Sequence, residues 1–282
     1  MLLRHPGWGI AAVLLIAFNL RPSITTVALF IADIRSDLGL STLGISVLTM
    51  LPVICLGLFA PLAPPLARRF SIETVLTVAL VGVAAGSVVR VQGIAPSCGR
   101  SIEGSGFVIS PDHVLTNAHV VAGVTSRQTV TTRNGTTLLA TVVYYDPQVD
   151  VAVLDVPNLN LTPLHFAGAA NPGDNAVVAG YPLDATNLHL VPARIGGIQN
   201  AQGPNIYETS TVTRQIYEIR AVVKSGNSGG PLLSPQGTVD GVVFAAAVGE
   251  SDTGFALTAA EVSADASAGG QLTSAVSTGA CD

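Results

Sequence analysis

Two hydrophobic patterns divide this chain near residue 90. Before that point, apolar residues run almost unbroken from Trp8 to Ile31, interrupted only by Asn19-Leu-Arg-Pro22. They run again from about Leu40 to Leu66 and from about Val75 to Val89. Runs of this kind predict membrane-spanning helices; the first two exceed the apolar core of a signal peptide, and the third is shorter and rich in Gly and Ala. After Gly93 the apolar residues fall into short runs separated by turns. Ser105–Ser110 ends at Pro111-Asp112, and Gln128–Arg133 and Thr136–Tyr145 flank Asn134-Gly135, a strong hairpin signal. Asp150–Val156, Asn175–Tyr181, Gln215–Val223, Gly230–Leu233 and Val239–Val248 follow as further strands. No long amphipathic helix intervenes, which argues against a parallel α/β sheet. About a dozen short strands over roughly 185 residues predict a mainly β domain built as a pair of antiparallel barrels.

Charge follows the same division. The chain is 49% hydrophobic and 11% charged, odd averages for one soluble domain. Residues 1–90 hold six Arg against Asp33, Asp37 and Glu73, a balance of +3. Residues 91–282 hold the other seven basic and fifteen acidic side chains, a balance of −8, which together give the net −5. The predicted domains are a transmembrane helical anchor at 1–90, whose partner is membrane lipid, and an acidic globular domain at 91–282. Arg4 precedes the first span and Arg68-Arg69 lie between the second and third, while the intervening loop has only Arg35. The positive-inside rule then puts the N-terminus in the cytoplasm and, after three crossings, everything beyond Arg90 outside. The expected location is the cell (inner) membrane, multi-pass, with the globular domain in the periplasm or extracytoplasmic space. No basic patch mixed with aromatics occurs, so nucleic acid is not an expected partner.

Cys98 and Cys281 stand at the two ends of the acidic domain. Domain ends often lie close together, so a bridge in an oxidising compartment is one reading and two separate thiols the other. Asn134-Gly-Thr and Asn160-Leu-Thr match the glycosylation triplet but read as turn chemistry. His113, His165 and His189 have no metal-ligand spacing, so neither a metal nor a cofactor is expected.

The chemistry concentrates in two stretches, Leu115-Thr-Asn-Ala-His-Val-Val-Ala-Gly123 and Lys224-Ser-Gly-Asn-Ser-Gly-Gly-Pro231. A serine hydroxyl is a poor nucleophile until a base takes its proton, and His119 is the candidate base for Ser228. Gly226-Asn-Ser-Gly-Gly230 also fits the nucleophile elbow of α/β-hydrolases, but those enzymes place the histidine after the serine. The last histidine here is His189, so that reading fails. A third group must orient the histidine, and Asp146, Asp150 and Asp155 are all in range. Asp150 opens the apolar run Asp150-Val-Ala-Val-Leu154, which suits a rigidly held carboxylate, whereas Asp146 precedes Pro147 in a turn and Asp155 lies farther along. The Gly-x-Ser turn would aim the backbone N–H groups of Gly226 and Ser228 at a developing oxyanion.

Thr116-Asn-Ala-His119, Asp150-Val-Ala-Val-Leu154 and Gly226-Asn-Ser-Gly-Gly-Pro231 resemble the three signatures of trypsin-like and HtrA-like serine proteases. Three flanking stretches, Ala95-Pro-Ser-Cys-Gly-Arg-Ser-Ile-Glu-Gly-Ser-Gly-Phe107, Pro111-Asp-His-Val-Leu115 and Thr278-Gly-Ala-Cys281, carry the resemblance further. They are similar to the membrane-anchored, acid-resistance serine proteases of mycobacteria and their actinobacterial relatives, over roughly residues 88–282. The resemblance implies two six-stranded antiparallel barrels of the chymotrypsin-like kind and a Cys98–Cys281 disulfide. It also implies cleavage of protein or peptide substrates outside the cytoplasm, in acid or oxidative stress. By the same resemblance Val222, six residues before Ser228, lines the floor of the primary substrate pocket, with Phe244-Ala245-Ala246 and Gly254-Phe255 as walls. No carboxylate stands at the floor, which argues against Arg or Lys selectivity and for an apolar side chain. Ala17-Phe-Asn-Leu-Arg-Pro-Ser-Ile-Thr25 and Leu66-Ala-Arg-Arg-Phe70 resemble instead the opening of a major-facilitator transporter of the cyanate/nitroimidazole branch, which departs from the protease family's anchor. Two further readings follow from these features: a membrane-tethered, catalytically inactive binding module, and a transporter fragment.

Overall fold

The computed structural model of the chain describes residues 72–183 and 185–282, so the expected first and second spans lie outside the described residues. Helix α1 (Ile72–Ala84) is followed by a 3-10 turn and then by β1 (Val88–Ala95). The run from Val75 to Val89 is therefore not a single spanning helix. Among the described residues no helix is long and apolar enough to cross a membrane. Part of the apolar character of this run comes from burial in the globular domain, while Val78, Leu80 and Val83 of α1 stay exposed. Val88 and Val89 are fully buried in a strand, and Val81 and Ala84 join the core that also holds Val239.

Strands β1, β2 (Arg100–Ser110), β3 (His113–Thr116), β4 (Ser126–Thr131), β5 (Thr137–Leu139), β6 (Thr141–Asp146) and β7 (Val151–Asp155) form one antiparallel sheet, ordered β5-β4-β1-β2-β3-β7-β6. Strands β8 (Asn175–Gly180), β9 (His189–Pro204), β10 (Thr211–Arg220), β11 (Pro231–Leu233), β12 (Val239–Ala246) and β13 (Thr253–Thr258) close a barrel ordered β10-β13-β12-β11-β8-β9. The expectation of two six-stranded barrels thus holds for the second unit and is corrected for the first, which has seven strands. The extra strand arises because the run Thr136–Tyr145 breaks at Ala140, whose N–H bonds to Gln128 O at 3.0 Å. One half of that run, β5, pairs with β4 at one edge of the sheet, and the other half, β6, pairs with β7 at the opposite edge. A single residue joins the two edges, so the sheet must curl until they meet. Helix α2 (Ala259–Gly269) follows β13, capped by Thr258, whose hydroxyl accepts the Glu261 N–H at 3.2 Å.

Successive residues of a strand face opposite sides of its sheet. Here both sides are covered, which explains the runs of adjacent apolar residues. In the barrel, Val178, Tyr217, Leu232, Val243 and Ala256 point to one core. Their neighbours Ala179, Ile216, Leu233, Val242 and Leu257 point to another. In the first sheet Val89, Val108, Val114 and Ala152 fill a third core, while Val88, Phe107, Leu115 and Val151 face the same layer as the barrel's second set. That shared layer, extended by Val262 and Ala266 of α2, joins the two sheets.

The segment after α2 returns to the first sheet. Val276 N–H donates to Val142 O at 2.9 Å, Gly123 N–H to Thr278 O at 3.1 Å, and the Thr278 hydroxyl to Val124 O at 3.0 Å. Cys281 forms a disulfide with Cys98, across 183 residues of sequence. Closing so long a loop restricts the unfolded chain strongly. Replacing Cys281 with Ser should lower the unfolding free energy by about 2–4 kcal/mol. Urea denaturation without reductant measures this, and an unchanged midpoint would show that the bridge adds no stability.

Candidate active site

The histidine stretch leaves β3 and turns immediately. Val120 N–H bonds to Asn117 O and Val121 N–H to Ala118 O, which winds the backbone around His119. Asp150 is not the first residue of its strand, as its sequence position suggested. It occupies a left-handed conformation, φ 72°, just before β7, an uncommon state for a residue with a side chain. The turn before it is built by Asp146, whose carboxylate accepts the N–H groups of Gln148 and Val149 and whose carbonyl accepts Asp150 N–H. This geometry turns the Asp150 side chain toward His119. One carboxylate oxygen accepts the His119 backbone N–H at 3.0 Å, and the other lies 2.8 Å from Nδ1. Asn117 Nδ2 fixes the Asp150 carbonyl at 2.8 Å. Of the three candidate aspartates, Asp150 meets the histidine; Asp146 serves the turn, and Asp155 sits at the far end of β7, paired with His113.

Ser228 lies in the loop between β10 and β11. Gly226 has φ 95° and Gly229 φ 81°, values that glycine adopts without strain. Neither position has room for a side chain: a Cβ at Gly226 would run into the Tyr181 carbonyl, and one at Gly229 into the Ser105 carbonyl and the Thr116 hydroxyl. Ser105 of β2, fully buried, ties this loop to the first sheet through every polar atom it has. Its N–H donates to Ser228 O at 2.8 Å and its hydroxyl to Gly226 O at 2.6 Å. The same hydroxyl accepts Tyr181 N–H, and its carbonyl accepts the Thr116 hydroxyl. Ser228 Oγ donates to Phe244 O at 3.5 Å. No hydrogen bond joins it to His119 among the described residues, a contact that is commonly long when no substrate is bound.

The peptide between Ser225 and Gly226 has a defined sense. Leu183 N–H donates to Ser225 O at 3.0 Å. In a trans peptide the C=O and N–H point opposite ways, so the Gly226 N–H faces away from Leu183. The loop carrying Leu183 is held by Arg90, whose guanidinium donates to Ala185 O at 2.6 Å, stacks on Tyr181 at 5.4 Å and pairs with Glu103 at 3.3 Å.

The expected pocket residues come from three adjacent segments. Val222 follows β10 and is half-exposed, Phe244 and Ala245 lie in β12 at a register irregularity, and Gly254 lies in β13 opposite Ala246. A Cβ at Gly254 would strike the Val223 side chain, which shows how closely the segments approach. The Phe244 ring lies 6.5 Å from that of Phe255, and the Arg214 guanidinium sits 6.0 Å from the Phe244 ring. Ser105, Leu183, Arg214 and Asp282 escaped sequence reasoning. Only Ser105 carried a local signal, the glycines on either side of it.

Burial of the His119 ring pulls its pKa down, but the charge and hydrogen bond of Asp150, with help from the Asp282 carboxylate, more than offset this. Arg214 opposes them, and the net result lies above the ordinary histidine value. The folded state therefore favours the imidazolium. The pairing stabilises the fold fully below that ordinary value, and the stabilisation fades as pH rises through the raised pKa. Among the described residues no three His, Cys, Asp or Glu side chains converge.

A family model for the trypsin-like peptidase domain matches residues 104–242. "Serine protease Rv3671c" of Mycobacterium tuberculosis is 49% identical over 197 residues, 69% of this chain and 49% of that protein. The chain thus spans about half the length of the curated relatives it matches. The crystal structure of the Rv3671c protease in its active form superposes with a TM-score of 0.69 and 47% identity, covering 73% of this chain and 90% of that one. Its inactive form gives a TM-score of 0.61 at 45% identity, covering 70% and 95%.

NMR titration of the ring should give His119 a pKa above the unperturbed value of about 6.5. Asp282→Asn should lower it and Asp150→Asn lower it further, since each removes a charge that favours the imidazolium. A wild-type ring titrating at or below the ordinary value would contradict the pairing with Asp150.

Proposed function

Because the chain belongs to the trypsin-like serine protease family, we propose that it is a serine endopeptidase in which Ser228, His119 and Asp150 perform the chemistry. Ser228 Oγ attacks the scissile carbonyl as His119 Nε2 takes its proton. The C–N bond then breaks, and the same proton passes to the leaving amine, leaving an acyl-enzyme. Water enters by the same route, giving its proton to His119 and its hydroxyl to the acyl carbon, and Ser228 leaves reprotonated. Asp150 keeps the Nδ1–H tautomer and balances the imidazolium charge. The N–H groups of Gly226 and Ser228 receive the oxyanion. The observation that carries this reading is the Asp150 carboxylate against both the backbone N–H and Nδ1 of His119.

The competing reading, an inactive binding module, needs an oxyanion hole closed by a flipped peptide. The Leu183–Ser225 hydrogen bond speaks against it, because it turns the Ser225 carbonyl outward. Substrates are proteins or peptides, with an apolar side chain at Val222, Phe244, Ala245 and Gly254. A membrane anchor within the first ninety residues and an extracytoplasmic protease domain complete the proposal; the Cys98–Cys281 bridge suits an oxidising compartment. Acid or oxidative stress is the proposed setting. The raised His119 pKa means that the base is lost as pH falls, so turnover weakens in acid.

A fluorophosphonate probe should label the full chain at Ser228, and both Ser228→Ala and His119→Ala should abolish labelling. No labelling of wild type at any pH would favour the binding module. Peptide-library profiling of the same protein should show apolar residues before the cut, and strict cleavage after Arg would remove the pocket assignment.

Ser105 acts as a positioning residue, because it holds the carbonyls of both Gly226 and Ser228. Ser105→Ala should cost about 1–3 kcal/mol of stability through the unpaired groups it leaves. Well below its melting temperature, kcat should fall by about tenfold or more through misaligned oxyanion donors, with KM nearly unchanged. Equal losses in both constants, or none, would mean that Ser105 only packs.

A further inference from the structure

At the end of the barrel away from the Ser228 loop, a cavity of about 450 Å³ opens between the turn before β8 and the turn joining β11 to β12. Asp240 of β12 lines it. That residue is only 4% exposed, and its carboxylate has no hydrogen-bond or ion-pair partner among the described residues. A buried carboxylate without a partner is costly and seeks a proton or a cation. Asp174, at the mouth of the same cavity, aggravates the cost. Burial first, and then the Asp174 charge, push the Asp240 pKa up to about 6.

The rest of the lining supplies oxygen. Ser234, Thr238, Asn175 and Gln236 line the space, the Ser234 and Thr238 hydroxyls bonded to each other at 2.8 Å, and no Lys, Arg or His lines it. Arg194 is the basic group nearby, and it is engaged with the Gly173 carbonyl at 3.0 Å. From β10, Tyr217 faces Asp240, and its hydroxyl accepts the Ala170 N–H at 3.0 Å.

We propose that this cavity binds a hard divalent cation such as calcium, with the Asp240 and Asp174 carboxylates as charged ligands and neutral oxygens and water completing the shell. Two carboxylates facing one oxygen-lined space, with no sulfur or imidazole, match the preference of calcium for six to eight oxygen ligands. The cation relieves the repulsion between the two aspartates and the isolation of Asp240 together.

Terbium, which takes calcium sites and is sensitised by a nearby tyrosine, tests the proposal on the full chain. Excitation of tyrosine should give terbium emission in wild type that millimolar calcium reverses. Asp240→Asn should weaken binding on the order of tenfold or more, as expected when one of two charged ligands is removed. Asp174→Asn, at an exposed position where the amide oxygen can still accept the Asn171 N–H that the carboxylate now accepts at 2.8 Å, should weaken it comparably. Calcium should raise the melting temperature of wild type and leave that of Asp240→Asn unchanged. Equal emission from wild type and both variants, or a calcium shift matched by the same ionic strength of sodium, would overturn the site and leave Asp240 neutralised by a proton alone.

Discussion

One layer of side chains, shared between the curled sheet and the closed barrel, governs the rest of this molecule. Phe107, Leu115 and Val151 reach it from one side, and Ile216, Leu233, Val242 and Leu257 from the other. Burying such large apolar groups is the dominant favourable contribution to folding. Neither sheet can withhold its half without exposing the other's. The layer therefore fixes the two sheets at a constant separation and orientation. The histidine and aspartate of the site hang from the first sheet and the serine from the second, so their alignment is inherited from the layer. Ser105 refines it, since a fully buried residue bonded on every polar atom leaves the two loops little freedom to slide.

The site also holds local strain. Asp150 adopts a left-handed backbone, which costs of order 1–3 kcal/mol for a residue with a side chain. That cost is met by a dense set of bonds: the Asp146 cap on the preceding turn, the Asn117 amide on its carbonyl and the two contacts with His119. A straight strand entry would send the carboxylate elsewhere. The carboxylate in turn sets the state of the ring it touches, so backbone geometry and proton affinity are coupled within a single residue.

Much of this was legible in the amino-acid sequence, and the failures have identifiable causes. The β-rich domain, its hairpin at Asn134-Gly135 and the meeting of His119 with Asp150 followed from short motifs and turn chemistry. The expected third run was drawn too far, because a strand buried on both faces has the same apolar density as a bilayer helix; Val88-Val89 is such a strand. Strand β9 was missed although its burial alternates from Val191 to Gly197, because Pro192 and the Gly196-Gly197 pair interrupt the residue types that mark a strand. Helix α2 was announced by Thr258-Ala-Ala-Glu261, a spacing typical of a capped helix start, which the surrounding strand pattern masked. The split of Thr136–Tyr145 at Ala140 depends on curvature, which no local pattern encodes. Leu183 and Arg214 act through a backbone N–H and a long reach across the fold, so neither residue type nor spacing marked them.

The tail that follows α2 has a consequence for how the chain matures. Val276 and Thr278 bond to the backbone of the first sheet, beside the loop that bears His119, and Cys281 closes onto Cys98. The part of the domain made first is thus completed by the part made last. During synthesis the leading sheet waits, with these positions unpaired, until the trailing residues emerge. Such long-range closure delays productive folding. It also gives the newborn chain an interval in which its histidine loop lacks its final support.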